Sequence, residues 1–245
     1  MKLHYGISVA SAGQLSELPD FAAADFLELP SYFCEAGRIS VPEKWKTRVR
    51  RFSCRRESAA LISLMDASSA VQMDFFREFG GCCAAFAAVG VKEVSLGIDW
   101  ETVLSGNCQL DRLRKILACC FGITSKYGMR VLLELRIPGT AANDIMGFLK
   151  FRNSLMFPVR TLIDLHPHEP AALDMLARLY DRMPFECDNF RISFDAAGGN
   201  YMSGKLLEMI RRSLRQVGPE IPEICFYPGR NADKTAFELL STVIS

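Results

Sequence analysis

The sequence predicts one (β/α)8 barrel that spans residues 1–245. Short apolar segments recur along the chain at regular intervals, and helical periodicity fills most of the gaps between them. Glycines follow several of the predicted helices, at the points where the next strand is due to begin. Eight repeats of strand and helix without a linker are typical of a closed parallel barrel.

Most of the eight predicted strands are continuous apolar runs, as expected for strands covered on both faces. They are His4–Val9, Asp25–Leu29, Ala60–Met65, Glu93–Ile98, Arg130–Leu135, Val159–Leu165, Phe190–Phe194 and Glu223–Tyr227. Helical spacing of apolar residues predicts helices at Val71–Val89, Leu110–Tyr127, Ala141–Phe151, Ala171–Arg182, Lys205–Val217 and Ala232–Val243. Gly90, Gly128 and Gly218 follow three of these helices, where a left-handed residue is favoured.

A basic segment, Lys44–Arg56, stands apart because it carries seven lysines and arginines. Such a segment can be a nucleic-acid or membrane surface. Its apolar residues Trp45, Val49 and Phe52 recur at helical spacing and supply a face to bury. We therefore predict that it is the solvated second helix of the barrel.

Composition and charge reduce the number of functional classes to which the protein can belong. The formal net charge of +1 and the pI of about 7.5 give no overall field that attracts nucleic acid or an anionic membrane. No apolar run reaches the roughly 18 residues needed to cross a bilayer, and the first residues do not resemble a signal peptide. We expect a cytoplasmic protein without nucleic-acid or membrane partners. Nothing in the sequence indicates the oligomeric state.

Nine cysteines are present, and no two of them have the C-x-x-C spacing of a metal or redox site. Cys82-Cys83 and Cys119-Cys120 are adjacent pairs within predicted helices, where neighbouring side chains diverge. We predict buried, reduced thiols that pack as small apolar residues.

Acidic and imidazole side chains recur at the predicted carboxyl ends of the strands, which meet at one end of a parallel barrel. These residues are Glu28, Asp66, Asp99 with Glu101, Glu134, Asp164 with His166 and His168, and Asp195. Converging like charges repel each other, and a cation or a cationic substrate relieves that repulsion. Carboxylates with imidazole suit Zn²⁺ or Mn²⁺.

Some of these residues also have a structural interpretation. Asp66 and Asp99 precede new helical turns and can act as caps. Glu134 comes too early to cap the next helix, and a carboxylate late in a buried strand needs a partner or a cation. Asp164 is either functional or a buried, hydrogen-bonded acid, and His166 and His168 are either functional or ordinary loop residues.

Arginines and glycines lie near the same strand ends. Arg136, Arg191 and Arg230 lie on or just after the fifth, seventh and eighth predicted strands, and Gly198-Gly199 follows the seventh. Loops at these places often bind phosphate in barrels. We predict an anion site there; the alternative is that Arg191 and Arg230 pair with Glu134, Asp164 or Asp195.

Three segments, in order along the chain, resemble the xylose isomerase-like barrels. They are Leu132-Leu-Glu-Leu-Arg136, Thr161-Leu-Ile-Asp-Leu-His166 and Arg191-Ile-Ser-Phe-Asp195. The resemblance covers the whole chain and implies one divalent metal, Zn²⁺, Mn²⁺ or Mg²⁺, for which Glu134 and Asp164 match the first two ligands.

The chain also departs from the pattern of that superfamily. Arg191 and Ser193 stand on the seventh strand where the pattern has a histidine, and the eighth, Ile224–Pro228, has no glutamate. Pro167 occupies the position of a further histidine, which leaves His166 or His168 as a substitute. The resemblance therefore implies either an incomplete metal site, with Glu134, Asp164 and His166, or no metal.

The leading hypothesis is a sugar or sugar-phosphate isomerase or epimerase in which Glu134 is the general base. Asp164 with His166 or His168 would hold a metal or polarise a carbonyl group. The remaining residues that we expect to bind substrate are Glu28, Asp99, Arg136, Arg191, Asp195 and Arg230. The alternative is a binding barrel without catalysis, for a carbohydrate or another anionic ligand. An endonuclease IV-type nuclease is disfavoured, because the chain has only three histidines.

Overall fold

The computed structural model describes residues 4–18, 24–54, 58–98, 100, 103, 110–137, 142–169, 172–175, 189–215 and 223–244. Its strands are β1 (His4–Ser8), β2 (Phe26–Pro30), β3 (Cys34–Glu35), β4 (Arg38–Ile39), β5 (Val49–Ser53), β6 (Glu93–Gly97), β7 (Arg130–Ile137), β8 (Val159–Leu165), β9 (Asn189–Ser193) and β10 (Glu223–Tyr227).

Eight of these strands close into a parallel barrel, which confirms the predicted fold class. The order around the barrel is β1-β10-β9-β8-β7-β6-β5-β2. The two remaining strands, β3 and β4, form a short antiparallel hairpin after β2.

Helices follow most of the barrel strands. In chain order they are α1 (Ala12–Glu17), α2 (Glu43–Lys46), α3 (Ser58–Ser63), α4 (Ser69–Ala88), α5 (Leu110–Lys126), α6 (Ala142–Asn153), α7 (Gly204–Arg215) and α8 (Lys234–Ile244). Gly90 and Gly128 follow α4 and α5 with φ of 90° and 64°, the left-handed conformation predicted for them. Gly218 lies outside the described residues.

The third barrel strand is not where the sequence predicted it. The predicted strand Ala60–Met65 is largely helix α3, and its buried Leu61, Leu64 and Met65 have the spacing of one helical face. The strand is β5, inside the basic segment that we predicted to be a helix. A charged side chain faces inward on β5: Arg51 is fully buried because Glu93 on β6 neutralises it, with Arg51 Nη2 3.0 Å from Glu93 Oε2.

Asp66 consequently follows a helix rather than a strand. Its side chain is 85% exposed, and its Oδ1 lies 2.9 Å from Nη1 of Arg112 on α5. The prediction that Asp66 ends a barrel strand is wrong.

Two compact units divide the chain. The first unit comprises Met1–Leu29, Arg136–Pro138 and Thr161–Ser245, and the second comprises Pro30–Leu135 and Gly139–Arg160. The assignment of residues 1–245 to one domain stays a prediction.

The core of the second unit contains the contact between α4 and α5. Cys83 on α4 and Cys120 on α5 are fully buried there. Burial raises the pKa of both thiols to about 12, and a neighbouring cysteine adds to each shift, Cys120 for Cys83 and Cys119 for Cys120. The prediction of buried thiols is confirmed for Cys83 and Cys120, whereas Cys119 is exposed.

Alkaline pH is expected to destabilise the fold through these two thiols. A pKa that is higher in the folded than in the unfolded state stabilises the fold fully below pH about 9, and this contribution is lost as the pH rises toward 12. The loss is about 1.4 kcal/mol per pH unit for each thiol. Urea titrations at several pH values above 9 should show a shallower fall in the free energy of unfolding for Cys83→Ala than for the control Cys119→Ala. Equal slopes would contradict this assignment.

None of the helices in the described part of the chain is both long enough and apolar enough to cross a membrane.

Candidate functional site

A buried ion pair lies in the first unit. Register places Glu28 of β2 beside Ser8 of β1, and Arg191 of β9 beside Asp164 of β8. Glu28 Oε1 accepts hydrogen bonds from Arg191 Nε at 2.8 Å and from Ser8 Oγ at 2.9 Å, and Arg191 Nη2 lies 2.8 Å from the same oxygen. Glu28 and Arg191 are both fully buried. The guanidinium charge is therefore compensated inside the protein.

Asp164 connects this ion pair to the end of β8. Its Oδ1 accepts a hydrogen bond from Ser193 Oγ at 2.5 Å, and its Oδ2 lies 3.9 Å from Arg191 Nη1. Asp164 remains 7% exposed, unlike Glu28. We call Glu28, Arg191 and Asp164, with Ser8 and Ser193, the acid–arginine cluster. Its charges sum to one negative charge when both acids are ionised.

His166 continues the chain of polar contacts beyond the strand. Its Nε2 lies 3.7 Å from Asp164 Oδ2, and its Nδ1 lies 3.5 Å from Glu169 Oε1. Arg136, at the end of β7, pairs with the same Glu169 oxygen at 2.8 Å. An imidazole between two carboxylates can exchange a proton with a bound molecule. His168 is exposed.

Glu134 lies in the carboxyl half of β7, within the second unit. Its side chain is 8% exposed, and its Oε1 accepts a hydrogen bond from Ser53 Oγ of β5 at 3.3 Å. Gly97 is its partner in the register of β6 and β7 and places no side chain beside it. Glu134 is thus a carboxylate on the barrel side of β7, as a general base at this position requires.

Asp195 and Arg230 lie on the loops after β9 and β10. Both side chains are exposed. The two loops are joined because the backbone N–H of Ala196 donates to the carbonyl of Pro228 at 3.1 Å. Asp195 folds over Gly198, since a Cβ on Gly198 would lie 2.4 Å from Asp195 Oδ2. Only glycine therefore fits at that position of the loop without a shift of the carboxylate.

Gln14 on α1 is a buried residue of this site that the sequence interpretation missed. Its Nε2 donates to the carbonyls of Gly229 and Arg230, both at 2.9 Å, and of Ala232 at 3.1 Å. Its Oε1 accepts from the backbone N–H of Ala10 at 2.6 Å. One side chain thus holds the loop after β10 against the loop after β1.

Replacement of Gln14 by glutamate is expected to loosen the loop after β10. A carboxylate offers no donor to the three carbonyls, so they lose their partner and the free energy of unfolding falls by about 1–3 kcal/mol. Urea denaturation measures the loss, and hydrogen exchange should rise at residues 229–232. Ser16→Ala on the exposed face of the same helix is the control. An unchanged exchange rate in this loop would contradict the role of Gln14.

Serine at the last position of a strand is the signal that could have found more of this site. β1, β5 and β9 all end in serine, at Ser8, Ser53 and Ser193. Ser8 and Ser193 donate to carboxylates of the acid–arginine cluster in the first unit, and Ser53 donates to Glu134 in the second. Asp99 and Glu101, by contrast, lie outside the described residues, so their predicted roles stay predictions.

The donor set can be compared with the divalent metal that the resemblance implies. Arg191 and Ser193 occupy β9 where a histidine is expected, and β10 ends at Tyr227 rather than at a glutamate. Arg191 also places a positive charge 3.9 Å from Asp164 Oδ2, which repels a cation at that carboxylate. Among the described residues, no three His, Cys, Asp or Glu side chains are grouped so that they could hold a metal ion. These residues do not fit the implied metal.

Comparisons with known proteins identify the fold. No protein-family model matches the chain, and no curated protein matches it by sequence. Solved structures that match over the full chain include a sugar phosphate isomerase/epimerase from Parabacteroides distasonis, at 12% identity and a TM-score of 0.62, with 100% of this chain and 93% of that chain covered. A xylose isomerase domain protein from Alicyclobacillus acidocaldarius matches at 16% identity and a TM-score of 0.58, with 99% and 98% covered.

A third matching structure has a different activity. The glycoside hydrolase domain from Bordetella bronchiseptica is 11% identical, with a TM-score of 0.58 and 100% and 99% of the two chains covered. At these identities the likeness concerns the fold alone. The chain has the fold of the xylose isomerase-like barrels.

Proposed function

We propose that this protein binds a small carbohydrate at the carboxyl ends of its barrel strands and that the acid–arginine cluster recognises hydroxyl groups. The observation that supports this most directly is the pair of carboxylates, Glu28 and Asp164, held in place by Arg191 and two serine hydroxyls. Carboxylates accept strong hydrogen bonds from hydroxyl groups. Asp164 is the partly exposed member that contacts the ligand, whereas Glu28 and Arg191 fix its position.

The similar structures support the same ligand class. A sugar phosphate isomerase/epimerase and a glycoside hydrolase domain carry out different reactions, yet both names refer to sugar chemistry. The shared element is the carbohydrate rather than one reaction, so the ligand class is better supported than the reaction.

The reaction that we propose is isomerisation or epimerisation, with Glu134 as the general base that removes a proton next to a carbonyl group. No step is assigned to a metal, because the residues of β9 and β10 do not fit the implied ligand set.

A binding barrel without catalysis is the second candidate. The specific observation in its favour is the residue set on β9 and β10, where Arg191, Ser193 and Tyr227 stand in place of the ligands that the resemblance implies. Binding of hydroxyl groups by Asp164 does not depend on those ligands.

A phosphate group on the ligand is less well supported than the sugar. Arg191 is neutralised by Glu28, and the helices after β9 and β10 are already capped at their first turns. The Ser203 hydroxyl accepts from the N–H of Leu206 at 3.1 Å, and Asp233 accepts from the N–H of Ala236 at 3.0 Å. Arg230 is the remaining exposed cation of this loop, and the predicted anion site depends on it.

Two measurements on purified protein test the proposal. A panel of aldoses, ketoses and their phosphates is screened by thermal shift, and solvent deuterium incorporation next to the carbonyl is followed by NMR. Asp164→Asn should abolish binding, whereas Glu134→Gln should retain binding and lose deuterium incorporation by at least 100-fold, the lower bound for loss of a general base. Asp66→Asn, on an exposed acid paired with Arg112, is the matched control.

The outcomes separate the candidates. Binding without deuterium incorporation in the wild type favours the binding barrel. Binding that survives Asp164→Asn contradicts the role of the acid–arginine cluster, and failure of every sugar to bind contradicts the carbohydrate class. Elemental analysis that finds a stoichiometric divalent metal contradicts the metal-free reaction. Loss of the phosphate preference in Arg230→Ala would support the anion site.

A further inference from the structure

A cavity of about 470 Å³ lies in the second unit, between α4, the β3–β4 hairpin and the end of β5. The most buried residues that line it are Cys54, which follows β5, and Phe79 on α4, at 2% and 4% exposure. Phe52 of β5 stacks on Phe86 of α4 at a ring distance of 4.5 Å, so the even-numbered residues of β5 face the helix. Cys54 shares that face and Ser53 does not. The cavity therefore lies on the helix side of β5, apart from the carboxylate that Ser53 contacts.

Gly81 on α4 lies against this cavity. Glycine inside a helix is destabilising relative to alanine, yet α4 contains Gly80 and Gly81 in succession. A Cβ on Gly80 would lie 3.7 Å from Ile123 of α5, an ordinary contact distance. A Cβ on Gly81 would meet no heavy atom of the described residues within 4 Å, and Gly81 lines the cavity. The missing side chain at Gly81 keeps space open that packing does not require.

The opposite rim is also built from small residues. Ala36 and Gly37 form the tip of the β3–β4 hairpin with φ of 49° and 75°, and both line the cavity. Two consecutive positive φ values are typical of a hairpin turn that prefers asparagine or glycine. Alanine at the first position is strained and lacks a polar group, and strain of this kind gathers at ligand clamps.

The lining has a definite chemical character. Aromatic rings and thiols dominate it, contributed by Tyr32, Phe75, Phe79, Cys34, Cys54 and Cys82. Glu78 is the charged residue of the described lining; it is exposed at the rim and forms no ion pair within the described part of the chain. Aromatic faces and a carboxylate both favour a cation over an anion.

We propose that this cavity binds a small aromatic amine, with the ring of the ligand among Tyr32, Phe75 and Phe79 and its protonated amino group beside Glu78. The volume of about 470 Å³ lies within the range of small-molecule sites, roughly 300–1,000 Å³. This site is independent of the carbohydrate proposal, because no residue of the acid–arginine cluster and neither Ser53 nor Glu134 lines the cavity.

Three probes with the same indole ring test the proposal by calorimetry at pH 7: tryptamine, the neutral tryptophol and the anionic indole-3-acetate. Tryptamine should bind most tightly and indole-3-acetate least tightly. Glu78→Gln should weaken tryptamine about two- to five-fold, as expected for an exposed ion pair, and leave tryptophol unchanged. Tighter binding of indole-3-acetate, or an equal loss for all three probes, would overturn the assignment.

Variants at Gly81 test the place of binding. Gly81→Leu should weaken binding of tryptamine because the leucine side chain occupies part of the cavity, whereas Gly81→Ala should keep the fold at least as stable as the wild type. An independent readout on the wild type is alkylation by iodoacetamide. Tryptamine should slow alkylation of Cys34 and Cys82 but not of Cys119, which is exposed on α5. Unchanged binding in Gly81→Leu, or equal protection of Cys119, would overturn the proposal.

Discussion

Glu28→Gln is expected to lower the free energy of unfolding by about 3–5 kcal/mol. The substitution leaves the guanidinium of Arg191, which is fully buried, without its main counter-charge, and an uncompensated buried charge carries a penalty of this size. Urea denaturation monitored by circular dichroism measures the loss. Glu208→Gln on the surface of α7, whose partner Arg212 is 76% exposed, is the matched control and should change the free energy by less than about 1 kcal/mol.

A double substitution distinguishes an unpaired charge from lost packing. Glu28→Gln combined with Arg191→Met removes both charges and keeps most of the volume, so it should recover much of the stability lost in Glu28→Gln. Carbohydrate binding should not recover, because the site still lacks the guanidinium that positions Asp164. Additive losses in the double variant would contradict the buried ion pair as the cause.

The sequence predicted the barrel because most of its strands are unambiguous apolar runs. It misplaced the third strand for a physical reason. Arg51 lies in the middle of β5. A charged residue indicates a solvent-exposed position when no partner is near it in the chain, and the partner of Arg51, Glu93, is more than forty residues away. The segment around Leu61 and Leu64 is more apolar and was therefore predicted as the strand. Its apolar residues nevertheless have the spacing of a helical face.

The acidic residues of the candidate site were predictable from the sequence, whereas their hydrogen-bond and ion-pair partners were less so. Glu28, Glu134 and Asp164 each lie at or near the carboxyl end of a barrel strand, where the strand pattern placed them. The pairing of Arg191 with Glu28 across 163 positions was not predictable, since it depends on β9 and β2 each aligning with neighbours in the closed barrel. A polar side chain such as Gln14 that binds backbone carbonyls leaves no pattern in a single sequence.

Glu93→Gln is expected to destabilise the protein by about 3–5 kcal/mol without weakening ligand binding by the folded protein. Glu93 begins β6, is 1% exposed, and accepts hydrogen bonds from Arg51 Nε at 3.2 Å, from Arg51 Nη2 at 3.0 Å and from Arg130. Loss of its charge leaves Arg51 buried without a counter-ion. Arg130→Gln is the matched control and should cost less, because the side chain of Arg130 is 48% exposed and Glu93 keeps its hydrogen bonds from Arg51. The amino end of a barrel strand serves stability rather than chemistry, so carbohydrate affinity, measured well below the melting temperature of each variant, should match the wild type. If fully folded Glu93→Gln binds the carbohydrate more weakly than the wild type, the assignment of stability to the amino ends of the strands and of binding to their carboxyl ends is contradicted.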